Sequence, residues 1–157
     1  MLRIAVVSDS HGDRSALSDL AQRMEGVDRI VHLGDCAQDG ELLAAMTGKT
    51  VLGVRGNCDL LSHAPEERVE TLGGLRLLMC HGHRYQVKSG LLMLGYRARE
   101  VEADVALFGH THCPAVEWYG QTLLVNPGAL CRDRGGAGRY TVLEFREKGV
   151  VPVAYTL

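Results

Sequence analysis

Five short stretches of the chain carry side chains able to hold a cation, and each follows an apolar run. "SDSHGD" places Asp9 and His11 after "LRIAVV", "HLGDC" supplies Asp35, "RGNCD" supplies Asn57, "CHGH" contains His81 and His83, and "GHTH" contains His110 and His112. Carboxylate, amide and imidazole without thiolate suit divalent ions such as manganese, iron, zinc or nickel, not a structural zinc site. Each motif alone is weak: D-x-H arises by chance, Gly-Asp is a loop dipeptide, and a lone strand-end histidine is more often structural than a ligand. Five together reverse that weighting. Asp9, His11, Asp35, Asn57, His81, His110 and His112 are seven donors, too many for one ion. Two ions sharing a carboxylate, about 3.5–4 Å apart, use that number, and such pairs clamp phosphoryl oxygens during in-line displacement.

The donors converge only if the preceding elements lie side by side. "LRIAVV" (2–7), a helix from about Asp13 to Met24, "RIVHL" (29–33), a helix from about Asp39 to Met46 and "TVLGV" (50–54) alternate with short loops, the pattern of right-handed crossovers in a parallel sheet. Asp13 or Ser10 can cap the first helix, whose Ala16, Leu17, Leu20, Ala21 and Met24 share one face. Further on, "RVETL" and "LRLLMC" form a hairpin turning at Gly73 and Gly74, a helical stretch runs from Val87 to Glu102, and "DVALF" (104–108) is a buried strand. A hairpin turning near Gly120 and two closing strands, "YTVLEF" and "VVPVAYTL", complete about ten strands and three helices. This predicts an α/β fold: two mixed sheets packed face to face with helices outside, in one domain spanning 1–157. At the carboxyl ends of parallel strands the donors would face one crevice.

Composition narrows the class. With 157 residues, 46% of them hydrophobic, the chain can bury a real core. Seventeen basic and nineteen acidic residues, with no basic run, give no electrostatic footprint for nucleic acid. No apolar stretch approaches the roughly 18 residues of a membrane span, and "MLRIAVV" is too short for a signal peptide. Five cysteines without C-x-x-C spacing read as reduced thiols, so the expected location is the cytoplasm.

"DSH", "GD", "GN", "HG" and "GHTH", in that order, resemble the calcineurin-like metallophosphoesterase superfamily over essentially the whole chain, and "GNCD" resembles its small YfcE-type phosphodiesterases. The resemblance implies a four-layer sandwich and two divalent ions, manganese foremost with iron, zinc and nickel as alternatives. It assigns Asp9, His11 and His112 to one ion and Asn57, His81 and His110 to the other, with Asp35 bridging. A small phosphodiester would be attacked by hydroxide held between the ions, making Asp35 and Asn57 part of the catalytic set. Where much of the superfamily has histidine after G-N, this chain has Cys58, a poor general acid near neutrality, which leaves Cys58 to line the substrate and casts doubt on difficult leaving groups. His83 can face the substrate, and Arg55 can bind a phosphate oxygen or serve a surface ion pair. The rival function is a non-catalytic scaffold of the retromer-subunit type.

Other residues have plainer readings. His32 reads as core and His63 as a solvated loop residue, while Asn126 in "NPGAL" either positions a ligand or builds a turn. The cysteines beside the strand ends (36, 58, 80 and 113) read as small buried packing residues. Trp118 and Tyr119 read as core or interface, consistent with a homodimer or higher homo-oligomer.

Overall fold

The structure, a computed structural model, describes residues 1–132 and 135–157. Its elements are β1 Leu2–Val7, α1 Arg14–Gln22, β2 Arg29–His32, α2 Gln38–Thr47, β3 Thr50–Gly53, β4 Glu67–Leu72, β5 Leu75–Cys80, α3 Leu92–Glu100, β6 Val105–Leu107, β7 Ala115–Tyr119, β8 Thr122–Asn126, β9 Arg139–Arg146 and β10 Gly149–Thr156. They form two mixed five-stranded sheets, ordered β10-β9-β1-β2-β3 and β4-β5-β6-β8-β7. Strands β1, β2 and β3 are parallel, as are β5, β6 and β8, while β9, β10, β4 and β7 pair antiparallel at the flanks.

The period-two alternation of each strand explains the layering. Ile4 and Val6 of β1 enter a core shared with Leu77, Met79, Leu107, Val125 and Leu143 from both sheets. Ala5 and Val7, one residue out of phase, face Leu17 and Leu20 of α1 and Leu43 of α2. On the far side Leu78, Ala106 and Leu124 pack against Leu94 and Ala98 of α3. The predicted fold class is therefore present: helices, sheet, sheet, helix.

Two local expectations change. The helical stretch predicted from Val87 is interrupted: 3₁₀ turns span His83–Tyr85 and Val87–Ser89, and α3 begins only at Leu92. Gly90 at φ 132°, ψ 171° and Gln86 at φ 51° lie outside helical geometry. Cys80 is buried as expected, but Cys36 is half-buried and Cys58 and Cys113 are exposed, because they sit in loops beyond the strand ends. Trp118 is 69% exposed on edge strand β7, whereas Tyr119 packs on Gly95 of α3, where any Cβ would lie 2.6 Å from its ring. Among the described residues no helix is long and apolar enough to cross a membrane.

Asp13 caps α1, accepting from Ala16 N–H at 3.0 Å. Helix α2 begins differently, for its N-cap residue, Ala37, has no side-chain cap to offer. Asp59, from the loop after β3, braces the segment before it instead. Its carboxylate accepts from the backbone N–H groups of Asp35 (2.8 Å), Cys36 (3.0 Å), Ala37 (2.8 Å) and Gly56 (2.8 Å). One side chain thus satisfies the N–H groups of the segment leading into α2, up to its N-cap residue, and joins the loops after β2 and β3. Asp59→Ala is expected to destabilise the metal-free protein by about 2–3 kcal/mol, and Asp59→Asn by less, since its amide oxygen still accepts. Urea unfolding of both variants checks this; a loss within the roughly 0.5 kcal/mol of an ordinary surface substitution would contradict it.

Candidate metal centre

The loops after β1, β2, β5 and β6 bring their donors into two groups. Asp9, His11 and His112 each offer an atom within 4.8 Å of the others, and so do Asp35, His81 and His110. In the first group His112 Nε2 lies 3.1 Å from Asp9 Oδ1 and 3.4 Å from His11 Nε2. In the second, His81 Nε2 lies 3.4 Å from Asp35 Oδ2. The groups adjoin at Asp35, whose Oδ2 is also 3.8 Å from His11 Nε2 of the first group.

Hydrogen bonds on the outer side of Asp9, His81 and Asp35 fix which atom faces inward. Asp9 Oδ2 accepts from Ser8 Oγ (2.6 Å) and His110 N–H (3.0 Å), which leaves Oδ1 buried with no hydrogen-bond partner. His81 Nδ1 donates to Leu33 O at 2.7 Å, so Nε2 presents its lone pair inward, also without a hydrogen-bond partner. Asp35 Oδ1 accepts from Cys58 N–H at 3.1 Å. Buried polar atoms left unsatisfied are costly, and here an oxygen and a nitrogen face one small space beside a second carboxylate. The donor set fits divalent cations.

The electrostatics agree. Burial alone would raise the Asp35 pKa, but the His81 imidazole 3.4 Å away outweighs it and holds the carboxyl well below the usual range. Burial would lower His81, yet Asp35 and Asp9 shift it upward. Both shifts express the attraction of two buried carboxylates for positive charge in this space. His83 and His110 are lowered, first by burial and then by the charge of His81.

Five of the donors sit on left-handed backbone: Asp9 (φ 53°), His11 (47°), Asp35 (59°), His110 (70°) and His112 (61°). Such conformations are costly for non-glycine residues and persist only where the surroundings over-determine them. Asp9 N–H donates to Gly34 O (2.9 Å), His11 N–H to Asp35 O (3.2 Å) and Gly109 N–H to His81 O (2.9 Å). Two glycines permit the close approach. A Cβ at Gly109 would lie 2.0 Å from Ser8 Oγ, and one at Gly56 would lie 2.2 Å from Asp35 Oδ1. Beneath the first two loops, His32 is fully buried: its Nδ1 accepts from Gly34 N–H (3.2 Å) and its Nε2 lies 2.8 Å from Ser10 Oγ. Ser10 Oγ donates onward to Asp39 (2.6 Å), which also accepts from Gly12 N–H (2.9 Å). Ser10 therefore braces the loop, and Asp13 alone caps α1.

Of the remaining candidates, His83 adjoins the second group and the others lie outside both. Asn57 is exposed on the turn beside Cys58, its Nδ2 3.7 Å from Cys58 Sγ. The His83 ring lies 5.5 Å from that of His81 and 6.1 Å from that of His110, with Nδ1 buried and lacking a hydrogen-bond partner. Arg55 pairs with Glu66 at 2.9 Å, and Arg84 pairs with the other oxygen of the same carboxylate. Asn126 points at loop backbone: Nδ2 donates to Gly109 O (3.2 Å) and Thr111 Oγ1 (3.0 Å), and Oδ1 accepts from Gly128 N–H (2.8 Å). His63 is exposed. Sequence reasoning missed Asp59 and Asp39. Asp59 stood within "RGNCD", but nothing local marks it as a partner of the loop before α2, just as nothing local marks Asp39 as a partner of Ser10.

Comparison with known proteins places this arrangement. Residues 2–148 match the model of the calcineurin-like phosphoesterase superfamily domain. The probable metallophosphoesterase YsnB of Bacillus subtilis is 35% identical over 130 residues, covering 82% of this chain and 75% of that protein. Phosphodiesterase YfcE of Escherichia coli K12 is 30% identical over 161 residues, covering 87% and 83%. A crystal structure from Streptococcus pneumoniae TIGR4, of a conserved uncharacterised protein described as a predicted phosphoesterase, superposes with a TM-score of 0.84 at 31% identity, over 99% of this chain and 89% of that one. The chain belongs to the calcineurin-like phosphoesterase superfamily.

Proposed function

We propose that the chain is a metal-dependent phosphodiesterase acting on small phosphate diesters. Asp9, His11 and His112 would hold one divalent ion and Asn57, His81 and His110 a second, with Asp35 shared. The observation that carries this reading is the pair of buried atoms lacking hydrogen-bond partners, Asp9 Oδ1 and His81 Nε2, facing the same space as Asp35 Oδ2. Two ions held there, manganese foremost, would supply Lewis acidity toward phosphate oxygens and lower the pKa of a bound water toward neutrality. The chain positions. Leu33 O, Ser8 Oγ and the His110 N–H set the inward atoms, and the Cys58 N–H orients Asp35. His83, whose ring lies 5.5 Å from that of His81, would hold or protonate a substrate oxygen, and exposed Cys58 would line the substrate. The diester preference draws on the phosphodiesterase relative and on the cysteine that replaces a general acid.

Protein reconstituted with excess manganese and then freed of loose metal is expected to hold two ions per chain by elemental analysis. Asp35→Asn should hold at most one and lose about a hundredfold or more in kcat/KM, beyond the 10- to 100-fold typical of outer-shell changes. One ion or none in the wild type, together with no diester hydrolysis, would sink the reading in favour of the scaffold.

The second prediction concerns the leaving group. Without an imidazole at position 58, turnover of substituted phenyl diesters should rise steeply as leaving-group pKa falls. Where a positioned acid operates, it supplies about 10²- to 10⁴-fold and flattens that dependence. Cys58→His should flatten it, with metal content checked in each variant, whereas a shallow wild-type dependence that steepens in His83→Ala would give the acid role to His83. A shallow dependence that neither substitution alters would remove both residues from the reaction.

A further inference from the structure

The loop after β3 opens, on the side away from β2, onto a cavity of about 950 Å³ between α2, β3 and residues 58–65. Cys58 and Asp59 line it, and these are the residues that orient Asp35 and bind its backbone N–H. Cavity and donor groups therefore share a wall. Its volume lies within the roughly 300–1,000 Å³ of small-molecule sites.

Two glycines form part of the lining. Gly40 lies in the first turn of α2 and Gly53 ends β3, and neither has a positive φ. No steric demand explains them. A Cβ on Gly53 would meet nothing within 4 Å, and one on Gly40 would come no closer than 3.5 Å to His32 or Val51, an ordinary contact. Glycine in a strand is destabilising relative to alanine, so bare backbone at Gly53 costs stability and keeps the space open, whereas a side chain on Gly40 would turn toward His32 and Val51. Across from it, Leu60 and Leu61 line the cavity while 86% and 94% exposed. Adjacent apolar side chains left in water beside an open, flat backbone surface gain most by covering a flat apolar group.

We infer that this cavity receives one organic arm of the diester and is shaped for an aromatic arm. The inference rests on the phosphodiesterase reading and deepens it: the metal centre takes the phosphate, and the cavity sets the class of alcohol attached to it.

Single-arm product analogues test it without regard to which arm leaves. With zinc-loaded protein, phenyl phosphate should compete with a chromogenic diester at least about tenfold more tightly than methyl phosphate, as burial of an aromatic ring implies. Phenyl phosphate alone should shift the amide NMR signals of Gly40, Gly53, Leu60 and Leu61. Gly53→Leu, which fills the cavity, should bring the phenyl-to-methyl ratio to within twofold of unity. The double variant Leu60→Ser with Leu61→Ser, at exposed positions, should reduce the ratio without depending on the fold tolerating a new side chain in β3. Competition by both monoesters without a preference, or a preference that survives Gly53→Leu with its thermal unfolding unchanged, would overturn the inference and leave the phosphodiesterase reading standing. Absence of competition by either monoester and by inorganic phosphate would count against that reading itself, and the inference would fall with it.

Discussion

The centre depends on side chains that the backbone holds in conformations it does not favour. Asp9, His11, Asp35, His110 and His112 occupy the left-handed region. Asp and His enter this region more readily than other side chains, but five of them gathered at one sheet edge still need support from their surroundings. Parallel strands deliver the loops to one edge, but an ordinary loop would relax. What prevents relaxation is a set of buried hydrogen bonds between neighbouring loops, from Asp9 N–H to Gly34 O and from Gly109 N–H to His81 O. Side chains that never reach the centre brace the same loops: Asp59, Asn126 and the Ser10–His32–Asp39 chain.

The same bonds explain why donor atoms face inward without partners. Three donors spend their outer atoms on the scaffold: Asp9 Oδ2 on Ser8, His81 Nδ1 on Leu33 and Asp35 Oδ1 on Cys58. The inner atoms are left close together, and their electrostatic cost is met by positive charge. This links the sheets to function. The face-to-face core around Val6, Val31, Met79 and Leu107 fixes the relative position of β1, β2, β5 and β6, whose ends carry the donors.

Much of this was legible in the sequence, for stated physical reasons. Strand periodicity gave every strand and the two-sheet packing, because one residue of phase decides which face of "LRIAVV" enters which core. The donors were legible because polar residues recur directly after apolar runs. Less legible was anything set by tertiary partners. Gly90 breaks the helix predicted from Val87 through a backbone conformation that periodicity cannot register. His32 read correctly as core, but its bonds to Gly34 and Ser10 join three segments. Asp59 carries no chemical motif of its own, and its role appears only once α2 is seen to lack a cap from its own N-terminus.

The central claim is that the fold holds the donors ready for two ions meeting at Asp35. Crystal structures of the protein with and without manganese, with anomalous scattering recorded at the manganese edge, test it most directly. The account predicts two anomalous peaks about 3.5–4 Å apart, both touching the Asp35 carboxylate. It further predicts that Asp9, His11, Asp35, His110 and His112 keep positive φ in both structures. A single peak, or loops that reach these conformations only in the metal-loaded crystal, would contradict it.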